Sequence, residues 1–268
     1  MARHDDQLGL PLTPKFARPR SANDVERCAQ RARRLLGLDA KQPFIDIFMR
    51  APEVGLLAFS LDLGLDTADA ASVVLDRGGV ALINGALRVG RRRLALAHEL
   101  GHYLFADEYT IDWKIDQDDA SEWEARLDRF ARAVLLPAAG VKSQWENLGS
   151  KPEDLREAAI RVASSYRVDM STLARRLLEL KHIGDVDARR VRTFRTTRAD
   201  IVEYGLVTSH ELESPALPRV YEQAVLRLYH EETVSPARAV DLMLDTWDEG
   251  ELPPLPLLPE QAIWAVVS

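Results

Sequence analysis

At 268 residues, with 46% hydrophobic and 29% charged residues, the chain has the composition of a folded globular protein, long enough for one large domain or a few small ones. A formal net charge of −7 removes any general electrostatic case for binding nucleic acid or anionic membranes, and a single cysteine excludes an internal disulfide framework. No apolar run reaches the roughly 18 residues of a membrane span and no signal-peptide core opens the sequence, so the expected compartment is the reducing cytoplasm.

Residues 1–20 are polar and proline-interrupted and are expected to form a flexible arm. At Ser21-Ala22-Asn23-Asp24, capping side chains precede Val25, Cys28, Ala29, Ala32, Leu35 and Leu36 at helical spacing, and Gly37 ends the helix. Cys28 lies on that apolar stripe and reads as a small buried hydrophobe, the alternative being a thiolate that visits a metal. A second helix is expected around Ile45 to Ala51, then a strand over Val54 to Ser60. Two β-rich runs, Ser72 to Leu75 and Val80 to Ile83, flank Asp76-Arg77-Gly78-Gly79 and predict a hairpin. Arg91, Arg92 and Arg93 open the next helix against its dipole; they read as a solvated first turn, with contact to an acidic peptide or a neighbouring carboxylate as the alternative.

That helix, Leu94 to Phe105, carries the chemistry. His98 and His102 stand one turn apart on one face, where neutral imidazoles can converge on one cation. Glu99, about 100° further round the helix, can reach a water there without being a ligand. This is the H-E-x-x-H pattern of zinc peptidases. The plain alternative is a pair of hydrogen-bonded core or surface histidines; the small and apolar flanks Ala95, Ala97, Leu100 and Gly101 favour a helix inside a domain. A catalytic zinc needs a third protein ligand. Beyond an acidic loop at Asp107 to Asp119, a helix with the apolar face Leu127, Phe130, Ala131, Val134 and Leu135 places Glu124 on the border of that face. Glu122 points elsewhere, and Asp128, a turn after Glu124, is placed to hold the free ring nitrogen of a ligand histidine. His4, His182, His210 and His230 belong to other segments.

From about residue 45 to 137 the chain resembles the ImmA/IrrE family of zinc metallo-endopeptidases, which are gluzincin-like. The resemblance rests on Ala97-His98-Glu99-Leu100-Gly101-His102, Glu124, Phe130-Ala131 and Leu135-Leu136-Pro137. Leu94 stands where the family often has Phe, and Leu127-Asp128 where it often has Ala-Asn. The resemblance implies an α+β, zincin-like metallopeptidase domain, a small sheet plus active-site helices, followed here by a mostly helical C-terminal region. It implies one Zn²⁺ per chain on His98, His102 and Glu124, with Glu99 as general base. It also implies a regulatory endopeptidase that cleaves a helix-turn-helix repressor and so controls transcription in prophage or stress responses. For the oxyanion, Tyr103, Tyr109 and a backbone donor stay open.

After Pro137 the character changes. Pro152-Glu153-Asp154 starts a helix, Tyr166 to Asp169 is a turn, and Met170 to Ile183 is a second helix, a pair resembling a helix-turn-helix. Arg175, Arg176 and Lys181 make DNA contact an alternative to packing on the peptidase domain. Residues 185–208 read as strand or linker, Tyr221 to Tyr229 and Pro236 to Leu244 as helices, and Leu252 to Pro259 as an extended strap or a proline-rich ligand. The expected division is an arm at 1–20, the peptidase domain at 21–148, the helix-turn-helix-like segment at 149–190 and a helical and extended region at 191–268. Residues 150–268 are expected to recognise the substrate, with the acidic loop adding a preference for basic segments. The rival function is a non-catalytic, zinc-stabilised regulator or toxin–antitoxin component that binds DNA or a protein. Glu99, and the lack of a cysteine-rich ligand set, argue against it.

Overall fold

The computed structural model describes residues 9–11, 14–105, 117–148, 154–244 and 246–255. These divide into two compact units, 9–218 and 219–255. The first is mixed α+β, a three-stranded sheet among helices, and the chain beyond the sheet is mostly helical.

Helix α1, Ala22–Leu35, begins where the sequence places it: Ser21 Oγ accepts the Asp24 N–H at 3.2 Å. Its inner face, Val25, Ala29 and Ala32, is buried, and Gly37 follows at φ 66°. Arg33 is buried on that face too, where it donates to the backbone oxygens of Val134 at 2.7 Å and Asp39 at 2.9 Å. Burial pulls its pKa down to about 10. A short helix α2, Ile47–Arg50, runs through a 3-10 turn at Ala51–Val54 into β1, Leu56–Leu61. The predicted hairpin is present as β2, Ala70–Val74, antiparallel to β3, Gly79–Asn84. β3 also pairs with β1 in parallel, from Leu56 opposite Gly79 to Leu61 opposite Asn84, so the order β1-β3-β2 leaves β2 at an edge.

Against this sheet lies α3, Val89–Leu104, and across α3 lies α4, Gln117–Leu135. α3 is buried along nearly all its length because it is sandwiched between the two. Two glycines make that possible. A Cβ at Gly101 would stand 3.0 Å from Leu127 and 3.1 Å from Phe130 of α4, and one at Gly90 would stand 2.5 Å from the Asp169 nitrogen. Tyr103 is fully buried beneath the sheet, its hydroxyl donating to the Val54 carbonyl at 2.9 Å.

Helices α5 (Ala138–Leu148), α6 (Leu155–Tyr166), α7 (Met170–Glu179), α8 (Asp185–Thr193) and α9 (Arg198–Glu203) complete the first unit. Leu155, Ala159, Leu173 and Val191 belong to the same apolar core as Leu96 and Phe130. A cut after residue 148 would therefore divide one core. Residues 209–218 then return to the sheet, where Ser60 and Ala216 exchange backbone hydrogen bonds of 2.9 Å and Ser60 Oγ donates to the Leu212 carbonyl at 2.7 Å. In the second unit, α10 (Arg219–His230) and α11 (Pro236–Leu242) are tied by Tyr221 Oη donating to the Leu242 carbonyl at 2.9 Å. Leu252 to Leu255 are non-helical, as their prolines require; 256–259 lie outside the described residues.

Several expectations are corrected. Residues 14–20, expected in a flexible arm, lie along the domain: Phe16 is buried against Phe105, its N–H bonds the Leu104 carbonyl at 2.8 Å, and Arg18 stacks on Trp123. The arginines of α3 are not a solvated first turn. Arg91 pairs with Asp69 at 2.6 Å, whereas Arg92 and Arg93 are buried. Arg92 donates to the Gly85 carbonyl at 3.0 Å, and Arg93 to the carbonyls of Phe44 and Ile45 and to the Glu211 carboxylate. The stretch 185–208 holds helices α8 and α9, not a strand, and Thr197 and Asp200 form a capping box at α9. α7 stops at Glu179, short of Ile183, with Lys181 at φ 59°. Arg176 is fully buried, salt-bridged to Glu26 at 2.5 Å and donating to the Leu136 carbonyl at 2.8 Å, so it is withdrawn from any DNA-facing surface.

Candidate metal centre

α3 and α4 cross closely enough at Gly101 that side chains one turn apart on each helix meet above the crossing. From α3 come His98 and His102; from α4 come Glu124 and Asp128. His98 Nε2 is 3.1 Å from His102 Nε2 and 3.1 Å from Glu124 Oε2, and His102 Nε2 is 3.7 Å from Glu124 Oε1. Among the described residues these three form the one cluster of metal-binding side chains, with a ligand atom from each within 4.8 Å of the others. The histidines are mostly buried, while the Glu124 side chain is 52% exposed, so the cluster opens to solvent on the α4 side.

The other ring nitrogen of His98 lies 3.0 Å from Asp128 Oδ1. With Nδ1 donating to this carboxylate, Nε2 is left as a free electron pair aimed at the cluster. Burial alone would push the His98 pKa down; the hydrogen bond its ring donates to Asp128 and the charges of Asp128, Glu124 and Glu99 outweigh it and hold it above the ordinary histidine value. The same bond, with Arg132 and Arg175 behind it, holds the Asp128 carboxyl below the usual carboxylate range.

Glu99 is buried at 7% exposure and is not one of the three donors; Ser72 Oγ of β2 donates to its Oε2 at 2.5 Å. His98, Glu99 and Asp128 line a cleft of about 260 Å³ together with Ala70, Leu94 and Ala95. The arrangement therefore offers three converging donors, a hydrogen bond that orients one of them, and a separate buried carboxylate that shares a cleft with His98.

Residues 53–178 match the family described as IrrE N-terminal-like domain, a peptidase family. That stretch is IrrE N-terminal-like. That match ends at Leu178 in α7, inside the apolar core that continues to Leu212, so the compact unit of this IrrE-like protein is longer than the matched stretch. A transcriptional regulator of Mycobacterium tuberculosis is similar in structure at 18% identity and a TM-score of 0.45, over 65% of this chain and 48% of that one. The chain thus spans about half the length of that protein. No curated protein matches the sequence.

Among the described residues, the remaining sequence-derived candidates do not reach the metal-binding cluster. Glu122 pairs with Arg126. Cys28, half-buried in α1, is outside the donor cluster, and burial pushes its thiol pKa up. The Tyr103 hydroxyl is committed to Val54, which removes it as an oxyanion donor. Tyr109 and most of the acidic loop at Asp107 to Asp119 lie outside the described residues. Two contributors carry no sequence signal: Ser72, one small polar residue on an edge strand, and Glu211, which is 118 positions from the Arg93 it pairs with. None of the described helices is long and apolar enough to cross a membrane.

Proposed function

We propose that the chain is a cytoplasmic zinc-dependent endopeptidase that cuts a regulatory DNA-binding protein of the helix-turn-helix type. The observation that carries this reading is the convergence of His98, His102 and Glu124 beside a buried carboxylate, Glu99, that is not one of the donors. Tetrahedral ligands at about 2.0–2.1 Å from zinc stand about 3.3–3.4 Å from one another. His98 Nε2 stands 3.1 Å from both His102 Nε2 and Glu124 Oε2, close to that spacing, while the other carboxylate oxygen, Oε1, is 3.7 Å from His102; two imidazoles with one carboxylate suit zinc better than an oxygen-seeking Ca²⁺ or Mg²⁺.

Bound there, zinc would act as a Lewis acid on the scissile carbonyl and would acidify a water. The chain's own residues supply the rest. His98, His102 and Glu124 hold the ion, and Asp128 orients His98. Glu99, held by Ser72, accepts a proton from the attacking water on its carboxylate and returns it to the leaving amine. A buried carboxylate in that position is superfluous in a purely structural site, which favours catalysis over a zinc-stabilised regulator. The regulatory substrate follows from the ImmA/IrrE resemblance of the motif residues. Residues 21–148 supply the zinc-binding helices, and 149–268 contribute recognition.

The test is incubation of the zinc-loaded full chain with helix-turn-helix repressors encoded beside its gene, with and without a chelator. Cleavage of one repressor at one bond, stopped by the chelator and restored by zinc, is the expected result. Cleavage that the chelator leaves unchanged, or stable binding of a repressor without any cleavage, would overturn the proposal.

A further inference from the structure

A groove of about 1200 Å³ leads away from the candidate metal centre within the same compact unit. It shares Asp69, Arg91 and Leu94 with the cleft that His98 and Glu99 line, so the two spaces adjoin along those residues. One wall is the start of α3, where Gly90 lets the α6–α7 turn at Asp169 approach; the other is the segment from Arg192 to Ser209. Sequence patterning did not anticipate this wall, because it is built from α8, α9 and the loop after them.

The charge of the groove opposes that of the molecule. In a chain of net charge −7, its lining carries five arginines, Arg88, Arg91, Arg167, Arg192 and Arg195, and two aspartates. Both aspartates are already engaged: Asp69 by Arg91 at 2.6 Å, and Asp169 as the N-cap of α7, accepting from Thr172 N at 2.8 Å. Arg88, Arg192 and Arg195 are exposed and make no ion pair among the described residues. Between these cations lie apolar surfaces that water now touches, Leu65 at 74% and Val207 at 70% exposure, with Phe194 and Leu206 beside them.

We infer that this groove docks an acidic segment with apolar anchors in the protein being cut, and leads it to the metal centre. The inference rests on the peptidase reading above for that adjacency to matter. Apolar patches between unpaired arginines match alternating acidic and aliphatic side chains, whereas a DNA duplex offers no apolar partner for Leu65, Val207 and Phe194.

The test is fluorescence anisotropy on the full zinc-loaded chain with two short labelled peptides that share their leucines. One carries Asp and Glu between them, the other Lys. The acidic peptide is expected to bind about tenfold more tightly, the sum of several exposed ion pairs, and to weaken as salt is raised. The triple variant Arg88→Glu, Arg192→Glu, Arg195→Glu should invert the preference, and the milder triple change to Gln should abolish it; all three side chains are exposed, and thermal unfolding checks that the fold is kept. Equal binding of the two peptides, or an unchanged preference in both triple variants, overturns the inference. So does a random DNA duplex that displaces the acidic peptide and loses affinity in the same variants. Binding needs no turnover: lost discrimination with chelator-sensitive cleavage intact refutes the groove alone, and retained discrimination without cleavage refutes the peptidase reading alone.

Discussion

Gly101→Ala is the substitution that most directly probes how the two motif helices are held. In an isolated helix the change would stabilise by about 1 kcal/mol, since alanine is the better helix former. Here the new methyl would lie 3.0 Å from Leu127 Cδ2 and 3.1 Å from Phe130 Cδ1, both in fully buried side chains that have nowhere to retreat. Overpacking of a filled core costs about 1–3 kcal/mol, so the net effect is a loss of up to about 2 kcal/mol. The geometric consequence matters more. Relief requires α4 to move off α3 by a few tenths of an ångström, and that motion carries Glu124 and Asp128 away from the 3.1 and 3.0 Å separations they keep with His98. Zinc affinity should therefore fall about tenfold, the low end of what disturbing a ligand's support costs. Urea unfolding of the apo chain and a chelator competition read the two effects separately. A variant that gains about 1 kcal/mol and binds zinc as the wild type does would show that the helices are not held apart by Gly101, and the reasoning would fail.

Two further perturbations follow from the ion pairs. Asp128→Asn removes the strongest upward influence on the His98 pKa and leaves burial to push it down. Protons compete with zinc for the ring, so a His98 held above the ordinary histidine value in the apo chain makes zinc affinity fall steadily once pH drops below that raised value. The variant should bind zinc about tenfold more weakly near pH 8, with its affinity falling off over a lower pH range than the wild type's; chelator competition across pH that shows the same fall-off range in both would contradict this. Glu211→Ala strips the buried Arg93 guanidinium of its carboxylate and leaves it the Phe44 and Ile45 carbonyls, which should cost about 3 kcal/mol in a urea unfolding experiment. A loss under 1 kcal/mol would mean that the pair contributes no net stability.

What could be read from the chain follows a physical divide. Ser21, Gly37, the Asp76-to-Gly79 turn and the His98/His102 spacing are local signals, written within a few residues, and each element stands where they put it. Glu124 and Asp128 were legible because one helical face sufficed to rank them. Arg92 and Arg93 misled because their partners come from Gly85, Phe44, Ile45 and Glu211, and no local rule separates an arginine awaiting a distant carbonyl or carboxylate from one facing water. α8 and α9 were missed because they are short and polar, with only Ala188 and Val191 buried on α8, so their periodicity is faint. Phe16 lay in a proline-broken stretch whose docking site, the end of α3, is visible only in three dimensions.

The central claim is that Glu99 works on a water while His98, His102 and Glu124 hold the metal, and the Glu99→Gln variant separates the two jobs. Zinc content and repressor cleavage measured side by side on this variant should show one zinc per chain, an unchanged fold, and turnover reduced by about 10²–10⁴-fold. Loss of the zinc, or cleavage at the wild-type rate with the zinc retained, would contradict the account.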